Sequence, residues 1–119
     1  MATSVLVVDD DASFRALASR LLVDAGLLVV GEAGSVADAL AIANRIKPTG
    51  ALVDIGLPDG DGFELARRLT ALPWQPRVVL TSVESDRGFD NLVRRIGVRA
   101  YVDKADLPSA PLAEWLGPA

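Results

Sequence analysis

Three consecutive carboxylates, Asp9, Asp10 and Asp11, follow directly after the apolar run Val5–Val8. Carboxylates are costly to bury and repel one another, so a strand that ends in three of them needs an explanation. They are either solvated at the strand exit or gathered there to hold a cation. The chain has no histidine and no cysteine, which leaves carboxylates to carry any metal chemistry. A hard cation such as Mg²⁺, which prefers oxygen ligands, suits such a site.

Polar residues also end three later apolar runs. Asp54 stands near the end of the run 51–55, Thr81 follows the run 77–80, and Lys104 follows the run 100–102. A carboxylate can accept a phosphoryl group and form an aspartyl phosphate. That reaction needs positioning and charge neutralisation, which a divalent ion, an ammonium group and a hydroxyl donor would supply. Each signal alone is weak, but their joint placement indicates phosphoryl chemistry.

Short apolar runs alternate with segments of helical period along the chain. The runs predict five strands, at Val5–Val8, Leu27–Val30, Ala51–Ile55, Arg77–Leu80 and Ala100–Val102. Apolar residues at helical spacing predict five helices: one from Ser13 to a stop at Gly26, one capped by Ser35, one around 65–72, one around 89–96, and a short one at 112–116 with Pro111 in its first turn.

This alternation predicts an α/β fold, a doubly wound five-stranded parallel sheet with helices on both faces. Right-handed crossovers favour the strand order 2-1-3-4-5, which is flavodoxin-like. In that order strands 1 and 3 are neighbours, and ligands bind beyond their carboxyl ends, where the chain reverses direction. Asp9 and Asp10 would therefore lie beside Asp54, with Thr81 and Lys104 on the same rim.

Length and composition argue against several other functions. The 119 residues suit one domain and carry a net charge of −4. Arg94, Arg95 and Arg99 form only a small basic group, so we expect no direct nucleic-acid binding. No apolar run could cross a bilayer and no secretory signal is recognisable, so we expect no membrane contact. The lack of cysteine fits a cytoplasmic location.

Four stretches resemble the receiver domain of bacterial two-component response regulators: VVDDD at 7–11, VDIGLPDGDG at 53–62, VVLTS at 78–82 and AYVDK at 100–104. The resemblance extends over essentially the whole chain. It implies a phosphorylation-dependent signalling switch, not an enzyme acting on other substrates. A sensor histidine kinase or histidine phosphotransfer protein would supply the phosphoryl group, and an unidentified downstream protein would receive the signal.

The resemblance also implies residue roles. Asp54 would be the phosphoacceptor, and a Mg²⁺ ion would be bound by Asp9, Asp10, Asp54 and the backbone carbonyl of Gly56, with Asp10 the more direct ligand of the acidic pair.

Thr81 and Lys104 would contact the phosphoryl oxygens. Tyr101 would change rotamer when Asp54 is phosphorylated. This change would alter the surface made by the fourth helix, the fifth strand and the last helix.

Three features depart from the family pattern. Ala105 follows Lys104 where proline in a cis peptide is frequent, and a non-proline cis bond costs about 2.5–4 kcal/mol. Ser82 stands where alanine or glycine is usual. The stretch GVRAYVDKADLP is similar to receivers that carry a helix-turn-helix domain, yet the sequence stops at Ala119. We therefore expect a stand-alone receiver, residues 1–119, with no output domain.

Alternative interpretations remain open on the residues alone. A magnesium phosphohydrolase with an aspartate nucleophile, a pseudo-receiver that binds without phosphorylation, and a flavin-binding protein share parts of this pattern. The remaining acids have structural interpretations: Asp11 caps the first helix or faces solvent, and Asp59 and Asp61 are turn residues in the loop GLPDGDG.

Overall fold

Five parallel strands form the main sheet of the computed structural model, which describes residues 3–83 and 89–117, the side chains of residues 89, 90 and 92 excepted. The strands are β1 (Ser4–Val8), β2 (Leu28–Ala33), β3 (Gly50–Asp54), β4 (Arg77–Ser82) and β5 (Ala100–Asp103). Their order is β2-β1-β3-β4-β5. The predicted doubly wound topology is confirmed, with β1 and β3 adjacent at the reversal.

Five α-helices connect or follow these strands: α1 (Ala12–Asp24), α2 (Val36–Ile46), α3 (Gly62–Thr70), α4 (Phe89–Ile96) and α5 (Leu112–Leu116). The predicted caps are confirmed, because Asp11 accepts hydrogen bonds from the first turn of α1 and Ser35 accepts one from Asp38 N of α2. Phe89 and Leu92 are apolar residues of the helix predicted around 89–96, but their side chains are outside the described part of the chain. None of the helices in the described part is long and apolar enough to span a bilayer.

The sheet buries both of its faces. On one face α2 and α3 pack against β1 and β3, and Leu65 and Leu69 of α3 are fully buried there. On the other face α1 and α5 supply Leu22 and Leu116, which are also fully buried. Each such leucine stabilises the fold by about 1.5–3 kcal/mol. Two apolar layers therefore hold β1 and β3 rigidly in the middle.

The bounds of one strand were wrong, and two short features were not predicted. The second strand is not residues 27–30, because pairing with β1 carries it on to Ala33, whereas Leu27 lies outside it. The loop after β3 contains two two-residue antiparallel strands, Gly56–Leu57 and Gly60–Asp61. A 3-10 helix, Lys104–Ser109, follows β5 in a segment for which no element was predicted.

Helix α3 begins in unusually close contact with the end of β3. A β-carbon at Gly62 would lie 2.2 Å from the carbonyl oxygen of Asp54 and 2.4 Å from Ile55 Cα. Both neighbours are backbone atoms that cannot rotate away. Glycine is therefore required for α3 to start at this distance from the strand end.

Candidate functional site

Polar residues at the carboxyl ends of four strands meet at one edge of the sheet. Asp9 follows β1, and Asp54 ends β3, where it is in register with Thr81 of β4. Thr81 is in register with Val102 of β5, and Lys104 follows the end of that strand. The structure thus brings together residues that are up to 95 positions apart in the sequence (9 to 104).

Asp9, Asp10 and Asp54 form an acidic cluster in which one carboxylate oxygen from each residue lies within 4.8 Å of the others. Asp9 and Asp54 are buried, whereas Asp10 is exposed. The Asp9 carboxylate is oriented by its own turn, because Oδ1 accepts a hydrogen bond of 2.9 Å from the backbone N–H of Asp11. The cluster therefore offers two buried carboxylates and one exposed carboxylate as oxygen ligands.

Lys104 supplies the positive charge at this edge. Its Nζ lies 2.5 Å from Asp9 Oδ2 and 3.5 Å from Asp54 Oδ2. Burial lowers the pKa of Lys104, but the hydrogen bond to Asp9 and the negative charges of Asp54 and Asp9 outweigh burial and raise it above its ordinary value. The ammonium group is therefore charged at neutral pH and offsets part of the acidic repulsion.

Asp54 has a buried carboxylate whose two oxygens face different partners. Burial raises the pKa of Asp54, and the charge of Asp9 raises it further, while the Gly56 N–H and Lys104 oppose the rise. The Gly56 N–H donates to Oδ1 over 3.3 Å. Oδ2 faces the ammonium of Lys104.

Thr81 and Ser82 line the edge from β4, and both are buried. Thr81 Oγ1 is a buried hydroxyl oxygen without a hydrogen-bond partner among residues 3–83 and 89–117. Unpaired buried polar groups are uncommon, because each one costs free energy relative to water. Its donor is available to an acceptor that enters the site.

Tyr101 lies on β5, in register with Leu80 of β4. Its half-buried side chain packs against the core layer that contains α3. Arg94, Arg95 and Arg99 are exposed nearby in the chain, and Trp115 of α5 is half-buried. Arg94, Arg95, Tyr101 and Trp115 belong to the elements α4, β5 and α5 on which the sequence predicts a changing surface, and Arg99 lies between α4 and β5.

The backbone at Lys104 is held without a cis peptide. No cis peptide bond occurs in the described ranges, so Lys104–Ala105 is trans. Asp103 instead caps the 3-10 helix that begins at Lys104, accepting a hydrogen bond of 2.9 Å from Ala105 N. This cap fixes the turn at which a proline is frequent in the family pattern.

Phe14 and Arg15, which were not predicted as site residues, also contact the site. The Lys104 ammonium lies 4.3 Å from the centroid of the Phe14 ring. Arg15 Nη1 donates to the carbonyl oxygen of Asp9 over 2.6 Å, and its Nε donates to Glu32 over 3.0 Å. Both residues lie in the first turn of α1, just after the acids. This position could have indicated a contact with the site, because that turn lies near the strand ends.

The acids of the loop after β3 do more than form a turn. Asp59 lies in the turn, and its carboxylate accepts hydrogen bonds from Val36 N (2.7 Å) and Ala37 N (3.1 Å) at the start of α2. These bonds lower the pKa of Asp59 below its ordinary value. The prediction that Asp61 is a turn residue is wrong: it lies in a short strand and caps α3 by accepting a hydrogen bond from Phe63 N. The loop that follows the phosphoacceptor candidate is thus tied to two helices.

Comparison with known proteins identifies a family. The sequence profile described as "Response regulator receiver domain" matches residues 5–110. The chain is 40% identical over 109 residues to the DNA-binding transcriptional activator DevR/DosR of Mycobacterium tuberculosis, covering 91% of this chain and 49% of that protein. It is 35% identical over 101 residues to the response regulator GacA of Pseudomonas aeruginosa, covering 84% of this chain and 47% of that protein. The chain spans about half the length of these relatives.

The fold is similar to that of solved receivers. The signal receiver domain of NarL from Mycobacterium tuberculosis superposes with a TM-score of 0.83 at 27% sequence identity, covering 98% of each chain.

Proposed function

Since this chain belongs to the family of response regulator receiver domains, we propose that it is a signalling switch in which Asp54 accepts a phosphoryl group. Receivers of this family interact with histidine kinases or phosphotransfer proteins, and we take a phosphohistidine on such a partner as the donor. The observation that carries the proposal is the buried carboxylate of Asp54, 3.5 Å from Lys104 Nζ at the reversal of the sheet.

The reaction is a transfer from nitrogen to oxygen. A carboxylate oxygen of Asp54 attacks phosphorus, the O–P bond forms and the N–P bond of phosphohistidine breaks. The electron pair of the broken bond stays on the imidazole nitrogen, which is then protonated. Lys104 and Thr81 are placed to donate to the phosphoryl oxygens, and Thr81 has a hydroxyl without a partner in the described structure. Later hydrolysis of the acyl phosphate resets the switch, so the protein acts only on its own phosphoryl group.

Receiver domains bind Mg²⁺ through an acidic pocket, and the donor set here fits that ion. Asp9, Asp10 and Asp54 offer three carboxylates within 4.8 Å of one another, which is the oxygen chemistry that a hard divalent cation prefers. We propose that these residues and the backbone carbonyl of Gly56 hold Mg²⁺. When bound, the ion neutralises charge on the phosphoryl oxygens. Asp10 is the exposed member of the set.

The signal would leave through the surface made by α4, β5 and α5. A phosphoryl group on Asp54 adds negative charge and acceptor oxygens. Turning Thr81 toward it vacates space on the side of β5, and Tyr101 can occupy that space by changing rotamer. Exposed arginines and half-buried aromatics on these elements suit contact with a downstream protein. A stand-alone receiver, a cytoplasmic location and the lack of nucleic-acid binding stay predictions.

Phosphorylation with acetyl phosphate and Mg²⁺ tests the proposal. Intact-mass analysis should show one added phosphoryl group, removable by hydroxylamine as for an acyl phosphate. Asp54→Asn should show none, while Asp24→Asn, at the exposed end of α1, should be modified like the wild type. An adduct that survives in Asp54→Asn would reject Asp54 as the acceptor.

A further inference from the structure

The ammonium of Lys104 lies between two carboxylates and an aromatic ring. Asp9 Oδ2 and Asp54 Oδ2 are 2.5 Å and 3.5 Å from Nζ, and the centroid of the Phe14 ring is 4.3 Å away. The Lys104 side chain is only 16% exposed. A cation within about 6 Å of a ring centroid is attracted by the negative face of the ring, more strongly when water is excluded.

Phe14 is fixed independently of Lys104. Its backbone N–H belongs to the first turn of α1, where Asp11 accepts from it, and its half-buried side chain packs against the layer that contains Leu22 and Leu107. The ring is therefore held by contacts other than those with Lys104, Asp9 and Asp54. Lys104 approaches that surface from the 3-10 helix capped by Asp103.

We propose that Phe14 is a positioning residue that holds the Lys104 ammonium over the acidic edge, ready to move onto a phosphoryl oxygen. This inference rests on the proposed function, because the second position of the ammonium is defined by phosphorylation of Asp54. In this structure Nζ is nearer to Asp9 than to Asp54, so phosphorylation requires a small lateral shift toward Asp54.

The chemistry of the ring suits that shift. A carboxylate holds an ammonium group at one point, whereas the attraction of an aromatic face is spread over the ring. The ammonium can therefore exchange Asp9 for a phosphoryl oxygen while it keeps its contact with Phe14. A leucine at this position would fill similar space without attracting the cation, and the long lysine side chain would lose part of its order.

The proton shifts of the Lys104 ε-methylene group test the geometry directly. In the wild-type protein these protons should be shifted upfield by the ring current of Phe14, and Phe14→Tyr should keep the shift. Ordinary random-coil shifts for these protons in the folded wild type would overturn the proposal without any variant. This measurement needs no phosphorylation, so it separates failure of the inference from failure of the proposed function.

Phosphorylation kinetics then test the role. With acetyl phosphate at saturating Mg²⁺, Phe14→Leu should form the Asp54 adduct about 5- to 30-fold more slowly, which corresponds to ~1–2 kcal/mol at 1.36 kcal/mol per tenfold. Phe14→Tyr should recover most of the rate. Equal rates for wild type and Phe14→Leu, or a loss in Phe14→Tyr as large as that in Phe14→Leu with both proteins folded, would overturn the proposal.

A double-mutant cycle separates positioning from packing. If Phe14 acts through Lys104, Phe14→Leu should cause no further slowing in a Lys104→Met background. A purely structural effect would slow both backgrounds by the same factor and would overturn the proposal. If the wild type forms no adduct at Asp54, the proposed function fails, while the ring-current result stands by itself.

Discussion

Replacement of Thr81 by valine would remove a buried hydroxyl and keep the β-branched shape that suits a strand. Thr81 is 1% exposed, and its Oγ1 has no hydrogen-bond partner in the described ranges. A buried polar group left unpaired costs about 1–3 kcal/mol of desolvation. We therefore expect Thr81→Val to raise the free energy of unfolding of the unphosphorylated protein by about 1 kcal/mol.

The corresponding change in melting temperature follows from the chain length. At about 2.1 cal/mol/K per residue, the 119 residues give an unfolding entropy of roughly 250 cal/mol/K, so 1 kcal/mol raises Tm by about 4 °C. Urea titration and calorimetry both measure this change. Thr81→Ser, which keeps the hydroxyl and deletes a methyl group, should instead lower the free energy of unfolding by about 1 kcal/mol.

Two comparisons make the result decisive. Ser19→Ala removes another buried hydroxyl that has no partner among the described residues, on α1 and away from the acidic edge. It should stabilise the protein by a similar amount with no effect on phosphorylation. In the phosphorylated protein Thr81→Val should lose its advantage, because the phosphoryl oxygens then accept from the wild-type hydroxyl. A destabilised Thr81→Val beside an unaffected Thr81→Ser would show that the hydroxyl is already paired, and would refute the reasoning.

Three further outcomes are expected. Gly62→Ala should lower the free energy of unfolding by about 3 kcal/mol or more in urea titration, because its β-carbon would lie 2.2 Å from a backbone oxygen. Gly34→Ala, whose β-carbon would be 3.6 Å from its nearest neighbour, should change it by less than about 0.5 kcal/mol; equal effects would contradict the close approach. The pKa of Asp59 is lowered in the folded state, so its stabilising contribution is complete above its ordinary value of 3.8 and is lost as pH falls through the folded value. A pKa of Asp59 at or above 3.8 in an NMR titration of its carboxyl group would contradict this. Asp10→Asn should weaken Mg²⁺ binding, measured calorimetrically, because a charged oxygen ligand is lost; unchanged affinity would exclude Asp10 from the site.

The strand order could be predicted from the sequence because β1 and β3 are buried on both faces. Their apolar runs need covering on each side, and the helical segments between them supply the cover. The end of β2 could not be predicted in the same way. Glu32 and Ala33 have no strand preference of their own, and only pairing with Val7 and Val8 of β1 extends the strand through them.

The sequence could place the candidate site residues that lie at or just after the end of a strand. It could not place residues that reach the sheet edge from α1 or from the loop after β3. Asp54 and Thr81 follow apolar runs, which marks them in the sequence. Phe14 approaches Lys104 across 90 positions of sequence (14 to 104), and Asp59 reaches α2 across 23. No local pattern encodes such contacts, because they depend on how the elements pack.

The two acids Asp9 and Asp54 lie at central strands of the sheet, whereas Lys104 follows an edge strand. We therefore expect these two parts of the site to open to solvent to different extents. β1 and β3 are hydrogen-bonded on both sides, whereas β5 lies at the edge of the sheet and, among the strands that the structure describes, is bonded only to β4. Amide hydrogen exchange should therefore be slowest in β1, which leads to Asp9, and in β3, which ends at Asp54, and faster in β5, which leads to Lys104. The acids would stay in place during the sub-global openings that release the edge strand. A phosphoryl group that bridges Asp54 and Lys104 would join these two regions, and protection of β5 against exchange would rise toward that of the centre.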